Sequence, residues 1–384
     1  MSLSTVAALT GVLLLSVAAG YSTLTLVAAL VWRLRGVRRP TTMLHPAVTV
    51  LKPLCGAEPE LYENLRSFCM QDYPSYQIVF GVCDASDHAL AIVRQLAQEF
   101  PSVPIDIVVD DSQHGANRKV SNLINMLPYA RHDILIIVDS DTRVRPDYLA
   151  HITVPLLERE NGLVTCIYRS IPVGGIWSRF GCMYINDWYI PSVMLAWLFG
   201  HRGYISGQTI GVRRDTLAAA GGLRSLVNHL ADDYQLGEQV RQLGLRIVLS
   251  SYAAETVQGE PTAGALMGHE LRWMRTIRAL APGGFRFLFV TFTLPLLAVG
   301  YALGTAQPGW PLEALLSTTV ISRIAVSCLP RLSQRRIPLH DLLLLPVRDL
   351  LLCWTWFCAL VTSRVSWRGG KFQVDEQGVM RGSL

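Results

Sequence analysis

The sequence predicts an α/β fold, a mostly parallel sheet domain with transmembrane helices N-terminal and C-terminal to it. Three observations predict it. Short apolar runs alternate with helical stretches between residues 47 and 250, the pattern of βαβ units. Two of those runs end on acidic residues, Asp84 and Asp139, which places both at one edge of a parallel sheet. Apolar stretches long enough for a bilayer occupy the first thirty residues and recur in the last hundred.

Composition agrees. Of 384 residues, 51% are hydrophobic and only 16% charged, a low share for a wholly soluble chain. The net charge of +5 is modest, and its arginines cluster beside apolar segments. That points to an anionic membrane surface as partner and to no nucleic acid. The eight cysteines include no C-x-x-C pair and no zinc-like spacing with histidine, so they read as small hydrophobes or free thiols in a reducing compartment.

Val6 to Trp32 carries no charge and is long enough to span, and Arg33, Arg35, Arg38 and Arg39 follow it. The positive-inside rule then puts the N-terminus outside and the following domain in the cytoplasm. After a linker at 40–46, strands are expected at Ala47–Leu51, Tyr76–Cys83, Ile105–Val109 and Ile134–Val138. Helices are expected at Glu58–Gln71, Asp87–Phe100 and Lys119–Leu127. A helix after Pro146, a strand at Gly162–Tyr168, the TIGV strand near Gly207, a helix from Asp232 or Asp233 to about Leu243, and a strand at Leu245–Ser250 complete the domain. Between Gly174 and Tyr204 aromatic residues accumulate, suited either to core packing or to a groove or membrane face for an apolar acceptor.

Residues 269–278 predict a basic helix with Arg272, Arg275 and Arg278 on one face and an apolar stripe beside it, the look of a helix on a membrane surface. Phe287–Thr305 and Leu315–Pro330 are apolar, the second followed by Arg331, Arg335 and Arg336. Leu342–Val361 is apolar but interrupted by Pro346, Arg348 and Asp349, so it spans, re-enters or lies in the interface. The domain boundaries that follow are a transmembrane helix at 5–32, a sheet domain at 45–260, an interfacial helix at 261–283, membrane or re-entrant segments at 286–363 and a cytoplasmic tail at 364–384.

The stretch Asp139-Ser140-Asp141 leaves a buried strand at its carboxyl end, where open α/β sheets bind ligands. Two carboxylates one residue apart can share a hard cation and, through it, a diphosphate; an Asx turn is the plainer reading. Asp84 after a strand, Asp139 and Asp141, Asp233 at a helix start, and Arg272-Trp273 form an ordered set.

This set resembles the inverting, family-2-like glycosyltransferases with the pattern D, DxD, (T/E)D, (Q/R)xxRW. More narrowly the chain is similar to the ceramide glucosyltransferase family, through LKPLCGAEPELYENL, FGVCDASD, HGANRKVSNL, VDSDTRV, SGQTIGVRRDTL, LADDYQLG, RWMRTIR and SWRGGKF. Within it the chain looks most like the bacterial hopanoid-biosynthesis-associated glycosyltransferases. The resemblance implies a GT-A-type, Rossmann-like nucleotide-sugar domain and a membrane-bound, UDP-sugar-dependent inverting transferase in the inner (plasma) membrane. It implies that the Lys52-Pro53-Leu54 turn meets uridine and ribose, Asp84 the uracil, and Lys119 the donor phosphate or nucleotide. Asp139 and Asp141 would hold Mg2+ or Mn2+, with Asp139 the more essential, and Asp233 would be the general base, with Asp232 its competitor. The plain alternatives are a helix cap for Asp84 and Asp233 and a solvated position for Lys119. Arg272 and Trp273 would close on diphosphate and acceptor. His269 stands where glutamine or arginine is usual. The hopanoid-associated resemblance implies N-acetylglucosamine transfer to a hopanoid lipid acceptor; the ceramide resemblance implies glucose transfer to ceramide. A processive polysaccharide synthase would want Q-x-x-R-W and more spans.

Overall fold

The computed structural model describes residues 1–36, 44–56, 58–305, 310–333, 338–362, 364–367, 370–374 and 378–382. Arg38, Arg39, Arg335 and Arg336, on which the orientation reading leans, lie outside the described residues. So do most of the 40–46 linker, most of QPGWP, and Arg368-Gly369 of SWRGGKF. The chain divides into two compact units. A sheet unit comprises residues 35–173, 201–259 and 372–384; a helical unit comprises 1–34, 174–200 and 260–371.

In chain order the elements are α1 (Leu3–Arg35), β1 (Val48–Pro53), α2 (Leu61–Cys69), β2 (Tyr76–Val82), α3 (Ala89–Glu99), β3 (Ile105–Val109), α4 (Arg118–Met126), β4 (Ile134–Ile137) and β5 (Thr142–Arg143). Next come α5 (Tyr148–Thr153), β6 (Asn161–Pro172), α6 (Ile176–Tyr184), α7 (Ile190–Leu198), β7 (Ile210–Arg213), α8 (Arg214–Ala219), α9 (Asp232–Gln242) and β8 (Arg246–Gln258). The chain continues through α10 (Ala263–Leu280), α11 (Pro282–Arg286), α12 (Thr293–Gly304), α13 (Trp310–Ser333) and α14 (Leu345–Val361). Three strands close it: β9 (Arg364–Trp367), β10 (Gly370–Val374) and β11 (Met380–Gly382).

The sheet unit holds an eight-stranded sheet in the order β3-β2-β1-β4-β7-β6-β8-β5. β3, β2, β1 and β4 run parallel, in register Val48↔Tyr76 and Val48↔Ile134. Strands covered on both faces read as unbroken apolar runs, and ILII of β4 is buried throughout. β7 inserts antiparallel between β4 and β6, while β6 and β8 pair parallel with a bulge between Cys166 and Ile167. β6 and β8 extend well past the segments expected for them, because each borrows the other's ladder. One continuous apolar core on the sheet joins Leu51, Val79, Leu135 and Ile137 to Val120 and Leu123 of α4 and to Leu236 and Val240 of α9. β10 and β11 pair antiparallel, and Met380 is buried. His229 bridges Val379, with Leu230 N–H on Gly378 O at 3.0 Å and Met380 N–H on Asn228 O at 2.7 Å. The tail segment thus braces the loop that leads into Asp232 and Asp233.

Among its described residues the helical unit contains three helices long and apolar enough to cross a membrane: Leu3–Arg35, Pro311–Leu332 and Leu339–Val361. The Phe287–Thr305 run is shorter as a helix, since α12 begins only at Thr293 after a 3-10 turn. α12 lies close on α1. A Cβ on Gly11 would meet Gly304 N at 2.3 Å, so only small residues permit that approach.

Arg348 and Asp349, which break the last apolar run in sequence, are charges with partners. Arg348 makes a bidentate pair with Glu270 of α10 at 2.6 and 2.8 Å, and Arg323 of α13 reaches Asp349 at 2.7 Å. Arg331 of α13 grips Asp187, in the π-turn joining α6 and α7, at 2.6 and 3.0 Å. The basic face of α10 is also engaged: Arg275 bonds Thr362, and Arg278 bonds the Ala359 and Leu360 carbonyls. Those carbonyls end α14 and carry the negative pole of its dipole, which a guanidinium complements. The expected membrane-surface role of that face therefore meets a competing use for two of its three arginines. Of the aromatic region, Tyr184 and Trp188 are core residues, whereas Phe199 is 70% exposed. The eight cysteines are all free.

Candidate active site

The sheet unit gathers its charged residues where β4 ends. Val138 N–H still bonds Leu51 O at 3.1 Å; beyond it the chain turns, with Thr142 N–H on Asp139 O at 3.3 Å. That turn lifts Asp139 and Asp141 off the sheet edge. Lys119, near the start of α4, pairs with Asp139 at 2.6 Å and stands 3.6 Å from Asp232. α4 is placed by Asn117, whose side chain caps it at Val120 N–H (3.1 Å) and donates to His229 O (2.9 Å). One buried asparagine thereby ties the lysine helix to the loop before Asp232.

Asp233 lies in the first turn of α9, whose N-cap is Ala231, so it is no N-cap. Its Oδ2 accepts from Gly207 N–H at 2.9 Å and its Oδ1 from Tyr234 N–H at 2.8 Å. Gly207 is the hub. A Cβ there would stand 3.1 Å from both Asp139 Oδ2 and Lys119 Nζ, and 3.7 Å from Asp233 Oδ2. Three chemically active side chains converge on one residue without a side chain.

Burial and the neighbouring Asp232 push the Asp233 carboxyl up to about 6, against the pull of Lys119. Burial, then Glu58 and Asp139, push Asp141 up to about 7. Burial works against the Lys119 charge, but Asp139, Asp232 and Asp233 outweigh it and raise its pKa above the ordinary lysine range. A permanent cation thus sits among acids that share their charge reluctantly.

Lys52 and Pro53 close strand β1 and form no turn of their own. Lys52 is wholly buried, donates to the Asp139 carbonyl at 2.8 Å and lies 3.8 Å over the Phe68 ring; burial lowers its pKa to about 7. The expected turn is replaced by a brace, because β1 runs beside β4 and its last buried side chain reaches the β4 exit. Asp84 stands apart, beyond β1 at the end of β2. It is exposed, and the Ser86 N–H and hydroxyl, each at 2.8 Å, lower its pKa. Sequence reasoning missed Glu58, Asn117, Gly207 and Thr256. Glu58 accepts from Ser140 Oγ at 2.6 Å, and Thr256 donates to Asp141 Oδ2 at 2.8 Å. Glu58 had one signal: it follows β1, the strand beside β4.

In the helical unit, Arg272 and Trp273 sit on α10. Trp273 lies between His269, ring centroids 4.0 Å apart, and Tyr184 at 5.3 Å. His269 Nδ1 bonds Glu260 Oε1 at 3.0 Å.

Residues 10–380 match Glycosyl transferase family 21. The chain belongs to this family. The family is one of glycosyltransferases. Ceramide glucosyltransferase 1 of Caenorhabditis elegans is 25% identical over 255 residues, covering 66% of this chain and 54% of that one. A beta-monoglucosyldiacylglycerol synthase of Trichormus variabilis is 26% identical over 247 residues, covering 63% and 49%. The chain thus spans about half the length of these curated relatives. The mannosyltransferase PcManGT of Pyrobaculum calidifontis, solved with GDP-Man and Mn2+, superposes with a TM-score of 0.52 at 20% identity, covering 90% of this chain and 99% of that one. That likeness shows the GT-A fold of this family 21 chain.

The residues of this site fit a divalent cation whose shell is completed by groups from outside the protein. Asp141 Oδ1 is buried and has no hydrogen-bond partner, and Asp139 Oδ2 faces the space that Gly207 leaves. Among the described residues no group of three or more His, Cys, Asp or Glu side chains converges as a protein-only metal cage. Two carboxylates alone suit Mg2+ or Mn2+, which complete their shells with phosphate oxygens and water.

Proposed function

We propose that this family 21 enzyme transfers a sugar from a UDP-sugar to the hydroxyl of a membrane lipid by single displacement with inversion. The observation that supports it most is the convergence of Asp139, Lys119 and Asp233 on Gly207. Asp233 is the base: ionised above about pH 6, it takes the proton of the acceptor hydroxyl as the anomeric bond forms. Asp139 and Asp141 are the residues to hold Mg2+ or Mn2+, which when bound supplies charge neutralisation for the departing diphosphate. Lys119 adds a fixed positive charge beside that diphosphate, and Lys52 holds the Asp139 backbone. Asp84 and the end of β1 at Pro53 bind the nucleoside, and Arg272 with Trp273, in the helical unit, engages the acceptor.

The relatives' names carry ceramide and diacylglycerol, which favours a ceramide-type acceptor over the hopanoid. UDP-glucose is then the donor to try first, ahead of UDP-N-acetylglucosamine. The three apolar helices set the enzyme in a membrane. Arg33 and Arg35 after the first of them favour a cytoplasmic sheet unit and, in a bacterial cell, the inner membrane.

The test is Asp233→Asn in the full chain, assayed with both donors against ceramide, diacylglycerol and a hydroxylated hopanoid. Transfer should fall by roughly 10²–10⁴ with UDP binding retained. Surviving transfer would remove Asp233 as the base. UDP release that is flat across all three lipids would remove the lipid-acceptor reading.

A further inference from the structure

We propose that Gln208 donates a hydrogen bond from its Nε2 to a hydroxyl of the donor's sugar and so helps to select that sugar. This rests on the UDP-sugar reading above and adds to it a residue that meets the sugar rather than the diphosphate.

The backbone of Gln208 is held on both sides. Residues Ser206 to Thr209 make a tight turn, in which Thr209 N–H bonds Ser206 O at 3.1 Å and the two end residues form a β-bridge. Within it Gln208 N–H donates to Ser206 Oγ at 3.3 Å, and Gln208 O accepts from Thr209 Oγ1 at 2.6 Å. Gln208 directly follows Gly207, on which Asp139, Lys119 and Asp233 converge. Its side chain reaches Thr142, the residue after Asp141, whose hydroxyl donates to Gln208 Oε1. Thr142 in turn pairs with Thr256, which holds Asp141 Oδ2. The side chain therefore spans from Gly207 to the strand that continues from the two aspartates.

Hydrogen bonding decides which end of the amide faces outward. Thr142 is 0% exposed, and among the described residues its hydroxyl has no partner besides Gln208. A hydroxyl has a single hydrogen, and burying it without an acceptor is costly. It is spent on Oε1, and Nε2 is the end turned away. Gln208 is half-buried, and its Nε2 has no partner among the described residues and is open to solvent. The donors on Nε2, on an amide that cannot turn over, are thus available to a ligand.

The kind of ligand follows from position. A nucleotide sugar whose diphosphate shares a cation with Asp139 and Asp141, and whose anomeric carbon faces Asp233, lays its sugar across Gly207. Lys119 already answers the charge of the diphosphate. A neutral amide N–H suits a hydroxyl oxygen instead. A site built to hydrogen-bond a hydroxyl rejects the sugar that lacks it, because the donor is then left unpaired.

The alternative is that Gln208 only props Thr142 beneath the aspartates. Gln208→Met keeps the length of the side chain and loses the amide. Combining it with Thr142→Val removes both members of the bond, so that no buried hydroxyl lacks an acceptor. The full chain in lipid nanodiscs would be given whichever of UDP-glucose and UDP-N-acetylglucosamine the wild type transfers, then the monodeoxy analogues of that donor one at a time. The Kd of UDP would be measured in parallel.

Both variants should lower kcat/KM for the parent donor roughly two- to tenfold, the worth of one neutral hydrogen bond, with the Kd of UDP unchanged. With one monodeoxy donor, the one lacking the hydroxyl that Nε2 meets, wild type and variants should be equal; with the others the penalty should stay. A penalty equal for every donor, an unchanged kcat/KM in both variants, or a Kd of UDP that rises as far as kcat/KM falls would overturn the sugar contact while leaving transfer intact. A wild-type chain that transfers neither sugar would overturn the underlying reading as well.

Discussion

Asp233→Asn should make the protein more stable while it cuts turnover by roughly 10²–10⁴. The Asp233 carboxyl is pushed from an ordinary 3.8 up to about 6, so its ionised form is disfavoured in the folded state. Two units correspond to about 3 kcal/mol. Asparagine removes that charge at nearly constant volume. It can accept from only one of the two N–H groups that now bond the carboxylate, Gly207 and Tyr234, a loss of about 1 kcal/mol. The net gain at pH 8 is about 2 kcal/mol, or roughly 4–8 °C for a unit of this size.

The sign follows from linkage. A carboxyl with a raised folded pKa destabilises fully above that pKa and not at all below its unfolded pKa. The gain should therefore be whole above about pH 7, shrink to about 0.5 kcal/mol at pH 5 and vanish near pH 4. Thermal unfolding of the purified chain, followed by tryptophan fluorescence in EDTA at pH 8 and pH 5, reads it directly. A variant no more stable than wild type at pH 8, or a gain that ignores pH, would refute the reasoning.

Two further substitutions probe the supports of the site. Gly207→Ala adds a Cβ 3.1 Å from Asp139 Oδ2 and Lys119 Nζ, so kcat/KM should fall roughly tenfold with the melting temperature almost unmoved; unchanged kinetics would show that the ion pair can give way freely. In the helical unit, Glu270→Gln should destabilise by about 3–5 kcal/mol, because Arg348, 2% exposed, is left without its carboxylate. Adding Arg348→Met should recover much of that loss in a thermal-unfolding cycle, and simple additivity of the two would contradict a direct pair.

The placing of Asp139, Asp141 and Asp233 was legible because each sits just past a local signal, a buried strand or a helix start. What failed was everything set by pairing across distance. Lys52 looks like a turn residue until β1 is laid beside β4; only then is its ammonium under Asp139. Gly207 has no sequence mark beyond being glycine, and its importance comes from three side chains that arrive from β4, α4 and α9. The β7 strand was seen, but its antiparallel direction was not, since a four-residue apolar run has no polarity of its own. Arg348 and Asp349 looked like defects in an apolar segment because their partners, Glu270 and Arg323, lie 78 and 26 residues away.

Those paired charges bear on how the chain is made. Asp187 and Glu270 are synthesised first, and each meets its arginine, Arg331 or Arg348, only after a long stretch has followed. A charged side chain alone at the centre of a bilayer costs about 3 kcal/mol even on the mildest scale. α13, which carries Arg323 and Arg331, is therefore not at ease in lipid by itself. The helices have to settle as a set, with early acids waiting for late bases. A lesion in α14 that removes Asp349 would leave Arg323, in the apolar helix made before it, without its carboxylate.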